Sequence, residues 1–106
     1  MTKNVQTILS LLRVRLEALY GDRLVGLVLF GSQARDDASL GSDIDVMVVV
    51  RGVVDAGAEI QRVGPITAAL SLEHDVVLSC VFVSSDRYSN ERSPLLLNVR
   101  REGVAV

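Results

Sequence analysis

The chain has 106 residues, long enough for one domain with a hydrophobic core of its own and too short for two. Its net charge is -2, from 11 basic and 13 acidic side chains, with no basic stripe, which argues against long nucleic acid as a ligand. No apolar run approaches the length of a membrane span, and no cationic-then-apolar leader opens the chain, so a soluble cytoplasmic protein is expected.

Residues 4–20 predict a helix. Val5, Ile8, Leu9, Leu12, Leu16, Leu19 and Tyr20 recur at three- and four-residue spacings. Thr2 or Asn4 can cap its start, and Gly21 stands where a helix stop belongs. Leu24 to Phe30 reads as a buried strand, broken by Gly31-Ser32. Ser32 can cap a short helix over Gln33 to Ala38, and Ser39 to Ser42 is a polar loop. Ile44 to Val50 is a second strand, dense in β-branched residues.

Ala56 to Leu72 predicts a helix with Ile60, Val63, Ile66, Thr67 and Leu70 along one face. Gly64-Pro65 should kink or split it. Asp75 to Val83 reads as a third strand, and Ser84 to Asn90 as a polar connector. Ser93-Pro94 opens a last helix, Pro94 to Glu102, which Gly103 ends. The order predicts an α/β fold: a small mixed three-stranded core sheet with flanking helices, as a single domain over 1–106. The single cysteine, Cys80, lies in an apolar run and reads as a small core residue. The hydrophobic fraction of 49% is high for a domain this small, so part of the apolar surface is available to face a partner.

Two short patterns carry chemistry. Asp43 and Asp45 stand at the start of the second strand, two residues apart, and so share a face with Met47 and Val49. Their Cβ atoms lie roughly 6–7 Å apart, two strand rises. That separation can flank a metal pair about 3.5–4 Å apart. Two adjacent carboxylates repel, and a cation relieves the repulsion. Oxygen ligands with a phosphate co-ligand suit Mg²⁺, with Mn²⁺ as a substitute. Gly31-Ser32 supplies the other half. Glycine lets the backbone turn sharply and approach a ligand, and a helix start offers N–H groups to an anion. Ten residues separate Ser32 from Asp43. That gap suits two antiparallel strands with Ser32 and Asp43 at one end. A Gly-Ser pair alone is usually a turn, and an Asp-x-Asp alone is often a solvated strand start. The signal is the combination, with each pattern on its own apolar strand.

The run GSQARDDASLGSDIDVMVVV, about a fifth of the chain, resembles the minimal nucleotidyltransferases of the DNA polymerase β superfamily. One departure is Asp36, where many relatives carry glycine after the Ala-Arg pair. The resemblance implies nucleotidyl transfer from a triphosphate, with ATP the expected donor. Asp43 and Asp45 would hold two Mg²⁺ ions, and Gly31 and Ser32 would hold the β- and γ-phosphates. It also implies a third acid from a later strand. Asp75 is the candidate, as metal ligand and acceptor of a proton, and Glu73 is its rival. Arg35 can reach a phosphate or pair with Asp36 or Asp37. His74, the single histidine, reads as a surface residue, and Arg100-Arg101 as decoration of a solvated face. Such proteins often act as antitoxins that add AMP to a HEPN-type toxin. The partners expected are therefore a nucleoside triphosphate and either such a toxin or a homo-oligomer mate, because little chain is left for an acceptor pocket. The alternatives are nucleotidylation of a small molecule and neutralisation of a partner by contact alone.

No G-x-x-x-x-G-K-[ST] or G-x-G-x-x-G run occurs, and no Cys/His spacing suggests zinc.

Overall fold

The computed structural model describes residues 2–35 and 43–106. Helix α1 spans Lys3–Tyr20, with the Thr2 hydroxyl accepting from the Val5 N–H at 3.2 Å. Val5, Ile8, Leu9, Leu12, Leu16 and Tyr20 are buried on its inner face. Leu19, expected among them, is 39% exposed. Gly21 ends the helix at φ 57, a conformation glycine adopts without a Cβ clash.

Strand β1 spans Leu24–Phe30, and β2 spans Ile44–Val50, both with the bounds their apolar runs predict. They pair antiparallel, with Leu27 opposite Val48 and Phe30 opposite Asp45. Helix α2 spans Ala56–His74, capped by the Asp55 carboxylate on the Ala58 N–H. Strand β3 spans Leu78–Ser84 and runs parallel to β2. Helices α3 and α4 span Ser85–Asn90 and Pro94–Glu102. A short strand β4, Val104–Ala105, adds to β1 antiparallel, so the sheet order is β3-β2-β1-β4.

The sheet is therefore mixed as expected, but four-stranded. A two-residue strand is too short to show an alternating pattern. Pairing sustains it instead: the Val106 N–H donates to the Leu27 carbonyl at 3.0 Å, and Arg13 donates to the Val106 carbonyl at 2.5 Å. Three further expectations are corrected. Pro65 does not split α2, which runs through it as one helix to His74. The polar connector after β3 is α3, nucleated by the Ser84 hydroxyl accepting from the Arg87 N–H. On α2 it is Glu59 that is buried, paired with Arg62 at 3.3 Å, while Ile60 is 57% exposed.

The sheet separates two apolar layers. Ile44, Val46, Val48 and Val50 join Leu27, Leu29, Leu78 and Phe82 beneath α1 and α2. Met47 and Val49 join Val28, Val83, Leu96 and Val99 beneath α4. Cys80 packs at the margin of the first layer, and burial pushes its thiol up to about 12, which leaves it unreactive at neutral pH. Among the described residues no helix is long and apolar enough to cross a membrane.

Gly103 joins α4 to β4 where the backbone passes close to β1. A Cβ there would stand against the Val99 carbonyl and 2.5 Å from Val28 Cγ1. Gly103→Ala should therefore lower stability by about 1–3 kcal/mol, the usual cost of overpacking. The chemical-denaturation midpoint measures it, and an unchanged midpoint would refute this account of the α4–β4 junction.

Candidate active site

Register brings the two sequence patterns together. β1 ends at Phe30, opposite Asp45 on β2, so the next residue, Gly31, turns over the Asp45 side chain. Gly31 has φ 75, and a Cβ built on it would lie 2.7 Å from Asp45 Oδ2. Glycine is needed here twice, for the positive φ and for the space the carboxylate occupies. Gly31–Gln33 form one 3₁₀ turn, and the N–H groups of Ala34 and Arg35 donate to the Gly31 carbonyl at 3.2 and 3.3 Å. Ser32 therefore lies inside the turn, whose N-cap is Phe30. The expected helix over 33–38 and loop over 39–42 extend into residues outside those described, as do Asp36 and Asp37.

Asp43 directly precedes β2 and is exposed, while Asp45 is half-buried on the α4 side of the sheet. Partial burial raises the Asp45 carboxyl above its usual range, and the charge of Asp43 raises it further. The two acids thus sense each other and lie at the edge of an apolar layer. Arg35 follows the turn and pairs with Glu102, at the end of α4, at 3.7 Å. Both side chains are about half exposed, so the pair is weak and exchangeable.

Asp75 does not open β3. It is the C-cap of α2, in the left-handed region at φ 53 and ψ 50, and its N–H donates to the Ser71 carbonyl. Asp tolerates this conformation better than most residues. The chain then wraps around the helix end, and the Ser71 hydroxyl accepts from the Leu78 N–H at 3.1 Å where the strand begins. Glu73 and His74 stay in the last turn of α2. Among the described residues, no three His, Cys, Asp or Glu side chains gather closely enough to hold a metal, so neither Asp75 nor Glu73 joins Asp43 and Asp45 in such a cluster.

Two residues gain roles that sequence reasoning missed. Ser79 lies beside Asp45 in the parallel β2–β3 register. Arg100 donates to the Tyr88 and Glu91 carbonyls, each at 2.6 Å, and ties α4 to α3. The β2–β3 register counted from a correct β3 start would have found the first. No local pattern marks the second.

Comparison with known proteins defines the class. Residues 9–95 match the family model described as a nucleotidyltransferase domain, and the chain belongs to that family. A protein of Methanocaldococcus jannaschii, provisionally assigned as a protein adenylyltransferase, is 36% identical over 58 residues. That alignment covers 55% of this chain and 58% of the relative, so the chain spans less than two thirds of that protein's length. Two solved structures share the fold. A toxin-antitoxin crystallised with AMP-PNP has a TM-score of 0.62 at 20% identity, over 89% of this chain and 68% of that one. A provisionally assigned nucleotidyltransferase from Sulfolobus solfataricus has a TM-score of 0.57 at 16% identity, over 99% of this chain and 86% of that one.

Asp45 has its affinity for protons raised, so folding favours its neutral form. The stability this confers is full below the unfolded carboxyl pKa and lost as pH rises through the higher folded value. At pH 7 the ionised pair opposes folding. Asp45→Asn, nearly isosteric against Gly31, should raise the Tm at pH 7 by a few degrees, about the shift of a sub-kcal/mol gain. Calorimetry at pH 7 tests it, and a lowered Tm would contradict the repulsion.

Proposed function

We propose that this domain transfers a nucleoside monophosphate, with ATP as donor, to a hydroxyl acceptor and releases pyrophosphate. The observation that carries the reading is the close approach of Gly31 to Asp45, which joins the glycine turn to a carboxylate pair. The donor set fits a hard divalent cation. Asp43 and Asp45 offer only oxygens, and the charge of Asp43 adds to burial in disfavouring ionisation of Asp45 until a cation offsets it. These two residues would hold Mg²⁺, or Mn²⁺ in its place. When bound, the cation neutralises phosphate charge and polarises the reacting phosphoryl group.

The remaining work falls to the chain's own residues. Gly31 lets the backbone come within contact distance of the β- and γ-phosphates, and Ser32 adds a hydroxyl donor. Arg35 turns from its long, exposed ion pair with Glu102 to meet phosphate, which offers it charge-assisted hydrogen bonds. Asp45 is fixed in direction by a strand whose opposite face is buried, so its oxygens need little reordering when the nucleotide arrives. Catalysis of this kind is mainly positioning and charge neutralisation.

The acceptor we favour is a hydroxyl on a partner protein, and the role that of an antitoxin that adds AMP to a HEPN-type toxin. The description of the archaeal relative and the toxin-antitoxin neighbour with its ATP analogue support this reading. Incubation with α-labelled ATP, Mg²⁺ and a co-expressed partner should move label to the partner. Asp43→Ala and Asp45→Ala should each reduce transfer by about 10²-fold or more, the scale of losing a principal electrostatic group. Absence of transfer with every nucleotide and partner tried would contradict the enzyme. Partner neutralisation that survives both substitutions would show that contact alone suffices.

A further inference from the structure

The β3 flank of the acid pair is defined by register. β2 and β3 are parallel, with Ile44 beside Leu78, Asp45 beside Ser79 and Val46 beside Cys80. The Ile44 N–H donates to the Val77 carbonyl at 2.9 Å, which continues the same pairing one step down. Residues paired across a sheet project to the same face. Leu78 and Phe82 lie in the layer under α1 and α2, while Val83 lies in the layer under α4. Alternation therefore sends Val77, Ser79 and Val81 to the face that carries Asp45. Adjacent strands are about 4.8 Å apart, so the side chain at 79 is the nearest on β3 to the Asp45 carboxylate. That nearest group is a hydroxyl, half-buried, and the residue below it is Val77, 53% exposed.

The inference rests on the site proposed above. We propose that Ser79, and not a third carboxylate, forms the β3 wall of the acid pair, so that the sheet supplies two anionic ligands and takes up its divalent cation together with the triphosphate. Asp75 is held away at the α2 cap by its own left-handed backbone, three residues before β3 begins. Two carboxylates with a neutral neighbour leave a divalent cation with solvent in its remaining positions. Mg²⁺ is ordinarily bound this way, through one or two carboxylates plus substrate phosphates. Among the described residues of this flank, Val77 and Val81 contribute no ligand atoms, which leaves phosphate oxygens to complete the shell. The sheet face is thus built for a metal–nucleotide complex and holds the bare ion weakly.

Mn²⁺ binding, read by electron paramagnetic resonance, tests this without recourse to activity. The wild-type protein should bind Mn²⁺ at least tenfold more tightly with a non-hydrolysable ATP analogue than without it, after correction for Mn²⁺ held by the analogue alone. Ser79→Asp should tighten binding of the bare ion by about tenfold, and Ser79→Asn, equal in size and uncharged, should not. Asp75→Asn should leave both affinities within twofold of wild type. Wild-type binding of bare Mn²⁺ as tight as binding with the analogue would overturn the proposal, and this arm requires no variant to fold. So would loss of binding in Asp75→Asn, or a folded Ser79→Asp that gains nothing. If Asp45→Asn still binds Mn²⁺ and analogue like wild type, the acid pair is not the site and both readings fall. If Asp45→Asn loses binding while folded Ser79→Asp gains none, the site stands and the role of Ser79 alone is refuted.

Discussion

The site depends on one close approach, the Asp45 carboxylate lying against the backbone of Gly31. It exists because β1 and β2 are held in one register from Gly26 to Phe30 by the residues that follow the site along the sheet. Leu27 and Leu29 meet Val48 and Val46, all buried beneath α1. Each such side chain contributes about 1.5–3 kcal/mol when buried. Their sum far exceeds the repulsion between two partly solvated carboxylates. A slip of one residue would turn the entire β2 apolar set to the wrong face, so the register is not free to relax when the acids repel. The domain can therefore hold Asp43 and Asp45 on one face at a local cost that its apolar layers absorb.

The second apolar layer gives the site its surroundings. Met47 and Val49 follow the acids along β2 and are covered by Leu96 and Val99 of α4. That helix carries Glu102 to the pair with Arg35, just after the Gly31–Gln33 turn. Arg100 fixes α4 to α3 through two backbone carbonyls, and Gly103 lets the chain leave α4 tightly enough for β4 to reach β1. Several of the most exposed apolar side chains lie elsewhere, Val14 on α1, Val53 before α2 and Leu72 near its end. They account for part of the apolar excess noted in the composition.

Much of this was legible in residue order, and the failures have physical causes. β1, β2 and α4 have the bounds their apolar runs and caps predict, because strong local signals and tertiary burial agree there. The place of Asp45 on the face opposite Ile44 and Val46 followed from alternation alone. Asp75 was misplaced because an apolar run, Val76-Val77, adjoined it, and nothing local reveals that a non-glycine residue will take the left-handed cap of α2. That shift of three residues moved the third acid out of the strand and hid Ser79. β4 could not be foreseen from two residues whose strand character comes entirely from pairing with β1. Spacing places Ile60 on the inner face of α2, yet it faces outward, and Glu59 beside it is the buried residue, paired with Arg62.

Membership of the nucleotidyltransferase domain family agrees with this geometry. In the proposed reading, the carboxylate pair, the glycine turn and the neutral β3 wall together would receive a metal-bound triphosphate. The direct measurement is a crystal structure with Mn²⁺ and a non-hydrolysable triphosphate, using anomalous scattering to locate the metal. The expected result is an anomalous peak held by Asp43 and Asp45, with phosphate oxygens against Gly31 and Ser32. A peak remote from both acids, or a triphosphate bound elsewhere, would contradict it.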